Sequence, residues 1–232
     1  MVRIDIGNIL RREIEAHAAR VISDNPFLRC AREGENSPDT MGRYLASLHF
    51  AIARVPELLE RARERALATA QGALAEYFAE KHREEEGHHR WAESDLRVLC
   101  ASFDVRDLRV APAIEELVGF QVEIIDEDPI LYLAYVFWAE AFTTLAAGEL
   151  VRALVERCGV PSTALTCLAS HVDLDRAHSD DDLRVLNELA GDAGLLPRML
   201  GVLDRTMALF DRMCEQVLDV AAPARRWAGA SA

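Results

Sequence analysis

Paired cysteines are missing from this chain. Its five cysteines (Cys30, Cys100, Cys158, Cys167 and Cys214) are scattered and show no C-x-x-C spacing. That excludes a thiolate zinc site, an iron–sulfur cluster and a disulfide framework, and it fits a reduced, cytoplasmic setting. No wholly apolar run reaches the roughly 18 residues that suggest a membrane span. The first residues, Met-Val-Arg-Ile-Asp-Ile, carry an early acid and no long apolar stretch, so a secretory signal is not expected. Positive charge is scarce: 26 Lys and Arg stand against 39 Asp and Glu, a net charge of -13. Nucleic acid and anionic membrane surfaces both require basic patches and are poor partners for such a chain. Repeats, low-complexity blocks and alternating strand patterns are also absent.

What is present is helical periodicity in a chain of 232 residues, half of them hydrophobic. About seven helices are expected: 7–22, 41–69 with a kink at Pro56, 71–99, 113–125, 130–157, 162–178 or beyond, and 197–220. Short connections between them predict an all-α bundle forming a single domain over residues 1–222, followed by a loose tail at 223–232.

Three stretches carry chemistry. His171-Val-Asp-Leu-Asp175-Arg-Ala-His178 places two imidazoles and a carboxylate on one face if the segment is helical. That set suits iron, manganese or zinc better than calcium or magnesium, which prefer oxygen ligands. A solvated acidic helix that happens to carry two histidines is the plainer alternative. The second stretch, Glu84-Glu85-Glu86-Gly87-His88-His89-Arg90-Trp91, contains Glu85 and His88 at the Glu-x-x-His spacing of paired-metal bundles. There the competing readings are an exposed charged face or a slip to Glu84. The third is Glu140, a single acid inside an apolar helix. A buried carboxylate must be protonated, ion-paired or metal-bound. Three carboxylates (Glu85, Glu140, Asp175) and three histidines (His88, His171, His178) are enough for two metals sharing a bridging carboxylate. Three histidines and one acid would suit a single iron.

These residues, with Asn25-Pro-Phe-Leu, Asp95-Leu96, Leu117-Val-Gly-Phe-Gln121 and Asp128-Pro129, make the chain resemble the haem-oxygenase-like di-iron oxidases and oxygenases. The resemblance covers about residues 25–189. It implies a haem-oxygenase-like helical bundle that binds no haem and holds two Fe(II) ions, the second one weakly. Glu85, His88 and His171 would hold one iron; Glu140, Asp175 and His178 would hold the other, with a carboxylate bridging. Glu85 and Glu140 are the expected catalytic carboxylates. O2 would be the co-substrate, and the small-molecule substrate an amino acid or a derivative. N-oxygenation, desaturation and C–H or C–C cleavage are the reactions implied. An external electron donor and a second copy of the chain complete the expected partners. One departure is Ala141, where many relatives have glycine.

Tyr132, Tyr135, Phe137, Trp138 and Phe120 are candidates to line a substrate pocket, and Arg43, Arg54 and Lys81 to anchor a charged head group. Three rivals stay open. A haem oxygenase would use His17 as its haem ligand. A metal-independent, thiaminase-like hydrolase of the same fold would use a thiol, with Cys100, Cys158 and Cys167 as candidates. A non-enzymatic metal-binding or interaction module would use the acidic run Asp180-Asp181-Asp182 with Glu84 to Glu86.

Overall fold

A computed structural model describes residues 5–190 and 192–218, apart from the side chains of 173 and 175–180. Asp5 opens α1 (Ile6–Asp24) by accepting a hydrogen bond from the Asn8 amide. Asn25 ends α1 and caps α2 (Pro26–Glu33), accepting from the Phe27 amide at 2.9 Å. Gly34 closes that helix in the left-handed conformation, φ 73°. Ser37 caps α3 (Pro38–Ile52) through the Thr40 amide. Then come α4 (Val55–Ala68), α5 (Gly72–Glu85), α6 (His89–Ser102) and α7 (Pro112–Glu127). A 3₁₀ turn at Pro129–Leu131 leads into α8 (Tyr132–Glu156), and another at Ser162–Ala164 leads into α9 (Thr166–Leu189). Helix α10 (Leu195–Leu218) is the last described element. The expected tail at 223–232 lies outside the described residues.

The architecture is all-helical, as the periodicity predicts, but it has ten α-helices among the described residues rather than about seven. Three local features account for the difference. Pro26 starts a short helix, because a proline in the first turn lacks only an amide that would have no helical partner. Pro56 does the same for α4, so the long 41–69 helix is two helices rather than one kinked one. Gly87, at φ 94°, breaks the expected 71–99 helix into α5 and α6.

Helix α8 is the axis of the bundle, packed against α1, α2, α9 and α10. Tyr132, Ala134, Phe137 and Leu154 on it are completely buried. Each large apolar side chain hidden this way stabilises the fold by about 1.5–3 kcal/mol. By length and composition, Pro129–Glu156 could cross a bilayer, yet 78% of its most apolar stretch is buried inside the protein. It is a core helix, and the aliphatic and aromatic residues all round it follow from that position.

Candidate metal centre

Glu85 ends α5, His88 follows the turn at Gly87, and His171 lies in α9. One ligand atom from each lies within 4.8 Å of the other two. His88 Nδ1 is 2.9 Å from Glu85 Oε2. Two ligands at right angles on one transition-metal ion, each about 2.1 Å from it, lie about 3 Å apart. The i, i+3 spacing therefore predicts the right neighbours for a different reason: the helix breaks between them, and the turn through Glu86 and Gly87 brings the imidazole back over the carboxylate. Glu85 rather than Glu84 meets His88; Glu84 turns toward Lys81, 3.3 Å away.

Each donor is held from behind. His171 Nδ1 lies 2.7 Å from the Cys167 carbonyl. A carbonyl only accepts, so Nδ1 carries the proton and Nε2 presents the lone pair. His88 stacks on Trp91, with ring centroids 4.4 Å apart, and meets His171 edge-on at 5.0 Å. Burial pushes the Glu85 carboxyl up, but the hydrogen bond with His88, the imidazoles and the Lys81 ammonium outweigh it, and its pKa lies below the ordinary value. It is a carboxylate at neutral pH. Two imidazoles and one carboxylate on one side of an ion form the donor set of non-haem Fe(II) sites with open positions. The residues therefore fit iron.

Asp95, fully buried on α6, fixes where α9 begins. Its carboxyl accepts from the Cys167 amide at 2.8 Å and from the Thr166 hydroxyl at 2.5 Å. The N-cap residue, Leu165, makes no side-chain cap of its own. The His88 helix thus sets the first turn of the His171 helix. Asp95-Leu96 is part of the family resemblance, but a cap donated from another helix leaves no local sequence pattern, so sequence reasoning missed its role.

The other half of the expected ligand set is arranged differently. The side chains of Asp175 and His178 lie outside the described residues. Glu140 is buried at the middle of α8, as expected, but its described partner is a cation of the chain itself. Lys81 Nζ donates to Glu140 Oε1 at 2.7 Å and lies 3.2 Å from Asp182 Oδ1. Burial, and then the Asp182 carboxylate, push Glu140 up to about 10 against the opposing pull of Lys81. Burial also works against the Lys81 charge, but Asp182, Glu140 and Glu84 prevail and hold it above the ordinary lysine value. At neutral pH, then, Lys81 is an ammonium and the Glu140 carboxyl holds a proton.

A cavity of about 190 Å³ runs from this polar end along α8. Glu85, His171, Lys81 and Glu140 form its polar end, and Leu28, Leu48, Val55, Leu117 and Ala147 are among its apolar walls. Tyr132, Tyr135 and Trp138 line it as expected; Phe120 and Phe137 pack elsewhere. Among the described residues, Lys81 is the one Lys or Arg on the lining. Arg43 donates to the Val217 carbonyl, and Arg54 lies over the Phe50 ring and donates to its carbonyl. Neither anchors a head group here. The haem rival loses its residue too: His17 is buried, stacks on Phe142 and meets Asp211 through Nε2 at 3.3 Å.

No protein-family model and no curated protein matches the chain by sequence. Solved structures do match it in shape. A protein of unknown function with a haem-oxygenase-like fold from Shewanella denitrificans superposes with a TM-score of 0.80 at 17% identity, covering 91% of both chains. A TenA homologue from Pseudomonas syringae gives 0.69 at 17% identity over 92% of both chains. A CADD-like protein of unknown function from Nostoc punctiforme gives 0.68 at 14% identity, over 91% of this chain and 96% of that one. The chain has the haem-oxygenase-like fold.

Proposed function

We propose that this protein is a non-haem iron oxidase or oxygenase that uses O2 to transform a small molecule with an apolar body. The observation behind this reading is the convergence of Glu85, His88 and His171 at the polar end of an otherwise apolar cavity. Fe(II) held by Glu85, His88 and His171 would bind O2 and pass it the first electron, the remaining electrons coming from the substrate or an external donor. The chain does the rest. Cys167 and Trp91 orient the two imidazoles, and the apolar walls exclude water from the reacting end. Tyr132 and Trp138, both buried, present a hydroxyl and an indole N–H with no hydrogen-bond partner among the described residues. They suit an acceptor group on the substrate. The Glu140 carboxyl holds a proton at the edge of the cavity.

Lys81 is already engaged by three carboxyl groups, so the lining keeps no cation for the carboxylate of an amino acid. A head group of that kind would have to meet the metal ion. The substrate class favoured is therefore an amino acid with a large apolar side chain or an acyl chain. The test is anaerobic Fe(II) loading, iron analysis after desalting, and O2 uptake with a panel of such compounds. Iron bound at the site together with substrate-dependent O2 uptake supports the reading; a folded protein that retains no iron defeats it.

A second reading has one observation in its favour. Cys167 lines the cavity, with Sγ 3.7 Å from His171 Nδ1. A thiol beside a histidine is what a thiaminase-like hydrolase would use. Against it, the same nitrogen donates to the Cys167 carbonyl and cannot also take the thiol proton. Cys100 and Cys158 do not line the cavity. Cys167→Ser and His171→Ala separate the two readings: loss of activity in the serine variant alone would favour the hydrolase.

A further inference from the structure

Glu140 is where resemblance and structure part. The resemblance makes it the carboxylate shared by two irons. In the folded chain its Oε1 is 2.7 Å from Lys81 Nζ, and the same ammonium lies 3.2 Å from Asp182 and 3.3 Å from Glu84. Three carboxyl groups from α5, α8 and α9 converge on one cation. Lys81, Glu140 and Asp182 are 5%, 6% and 2% exposed, so little water shares the load. The Tyr77 hydroxyl donates to Asp182 Oδ1 at 2.7 Å and completes the surround. The ammonium donates a hydrogen bond to Glu140 Oε1, and the Asp182 and Glu84 carboxyl oxygens, at 3.2 and 3.3 Å, add ion pairs.

The position of this cluster matters. Lys81 and Glu85 are one helical turn apart on α5, so the ammonium lies beside the Glu85, His88 and His171 group. A metal bound to Glu140 would sit about 2.1 Å from a carboxylate oxygen. With Nζ 2.7 Å from Oε1, two cations would crowd one carboxylate in a dry interior. At Oε1 the ammonium and a metal ion compete for one position.

Resting on the metal-centre reading above, we infer that the Lys81 ammonium occupies the second cation position of this bundle. The resting protein holds one divalent ion, on Glu85, His88 and His171. A second ion reaches Glu140 only by displacing Lys81. Lys81 is a positioning residue: it sets the metal count and keeps three carboxyl groups together, two of them buried.

The test is a Mn(II) titration of the whole chain, with unbound Mn(II) counted by electron paramagnetic resonance. Wild type, Lys81→Met, Lys81→Gln and Glu140→Gln are compared, and circular dichroism reports the fold of each. Wild type should bind one ion tightly. Both lysine variants should gain a second ion, at least tenfold tighter than any second ion in wild type, with the spectral broadening of two coupled Mn(II). Glu140→Gln leaves Glu85, His88 and His171 untouched and should still bind one. If Lys81→Met does not fold, Lys81→Gln, which keeps hydrogen-bonding groups, carries the same expectation. Two tight ions in wild type, or a folded lysine variant that still binds one, overturns the inference and leaves the metal centre standing. No ion in wild type or in the variants overturns both.

Discussion

Two buried polar clusters lie side by side in this bundle, and they are built in opposite ways. The Glu85, His88 and His171 group holds no lysine or arginine of its own: its imidazoles are oriented by Trp91 and the Cys167 carbonyl, and its carboxyl is held ionised. The Lys81, Glu84, Glu140 and Asp182 group brings its own cation, and its carboxyl oxygens are engaged by Lys81 and Tyr77. Burial alone does not make a metal site. What separates the clusters is whether the chain supplies the positive charge itself. The first invites an ion; the second already holds one.

The comparison breaks first at the ligands. His171→Ala or His88→Ala should bring retained iron close to zero and abolish O2 uptake while the helical dichroism is kept. Iron analysis and an oxygen electrode check this. Next comes the ion cluster. Glu140→Ala takes the shortest acceptor from the buried Lys81 ammonium and should cost about 3 kcal/mol of stability in urea unfolding. Lys81→Met should cost more than Glu140→Ala, because it leaves the buried Asp182 without its cation. If Glu140→Ala lost its iron and none of its stability, the roles of the two clusters would be reversed.

Asp95→Ala should have a smaller, mixed effect. Losing the cap on α9 should cost about 1–2 kcal/mol, and the displaced His171 should weaken Fe(II) binding about tenfold, the range seen when the support of a ligand is removed. Asp95→Asn should restore part of both. A separate readout is pH dependence. Glu140 is pushed up to about 10 from an ordinary 4.5. Above 4.5 the unfolded chain loses this proton while the folded chain keeps it, so stability falls as pH rises through that window. Glu140→Gln should flatten the fall, measured as unfolding midpoints at several pH values between the two limits.

The helical class and the central place of α8 were legible because apolar residues surround that segment on every side. Glu140 was legible as a problem, since one acid in such a helix needs a partner. Its described partner was not legible: Lys81 lies 59 residues away, and no periodicity links them. Asp182 was hidden inside an acidic run that reads as a solvated face. Glu85 and His88 were found through their spacing, although Gly87 joins them by a turn and not by a continuous helix. Pro56 and Pro26 show the limit of reading proline as a breaker, because each one starts a helix. The pairing of His171 with that turn depends on Asp95, whose contact with α9 exists only in the tertiary structure. The placement of Asp175 and His178 falls outside the described side chains.

The most direct test of the account is the iron content of wild type and His171→Ala after anaerobic Fe(II) loading and desalting. The account predicts about one iron per wild-type chain and almost none in the variant, with both proteins equally helical. Equal iron in the two proteins, or none in wild type, would contradict it.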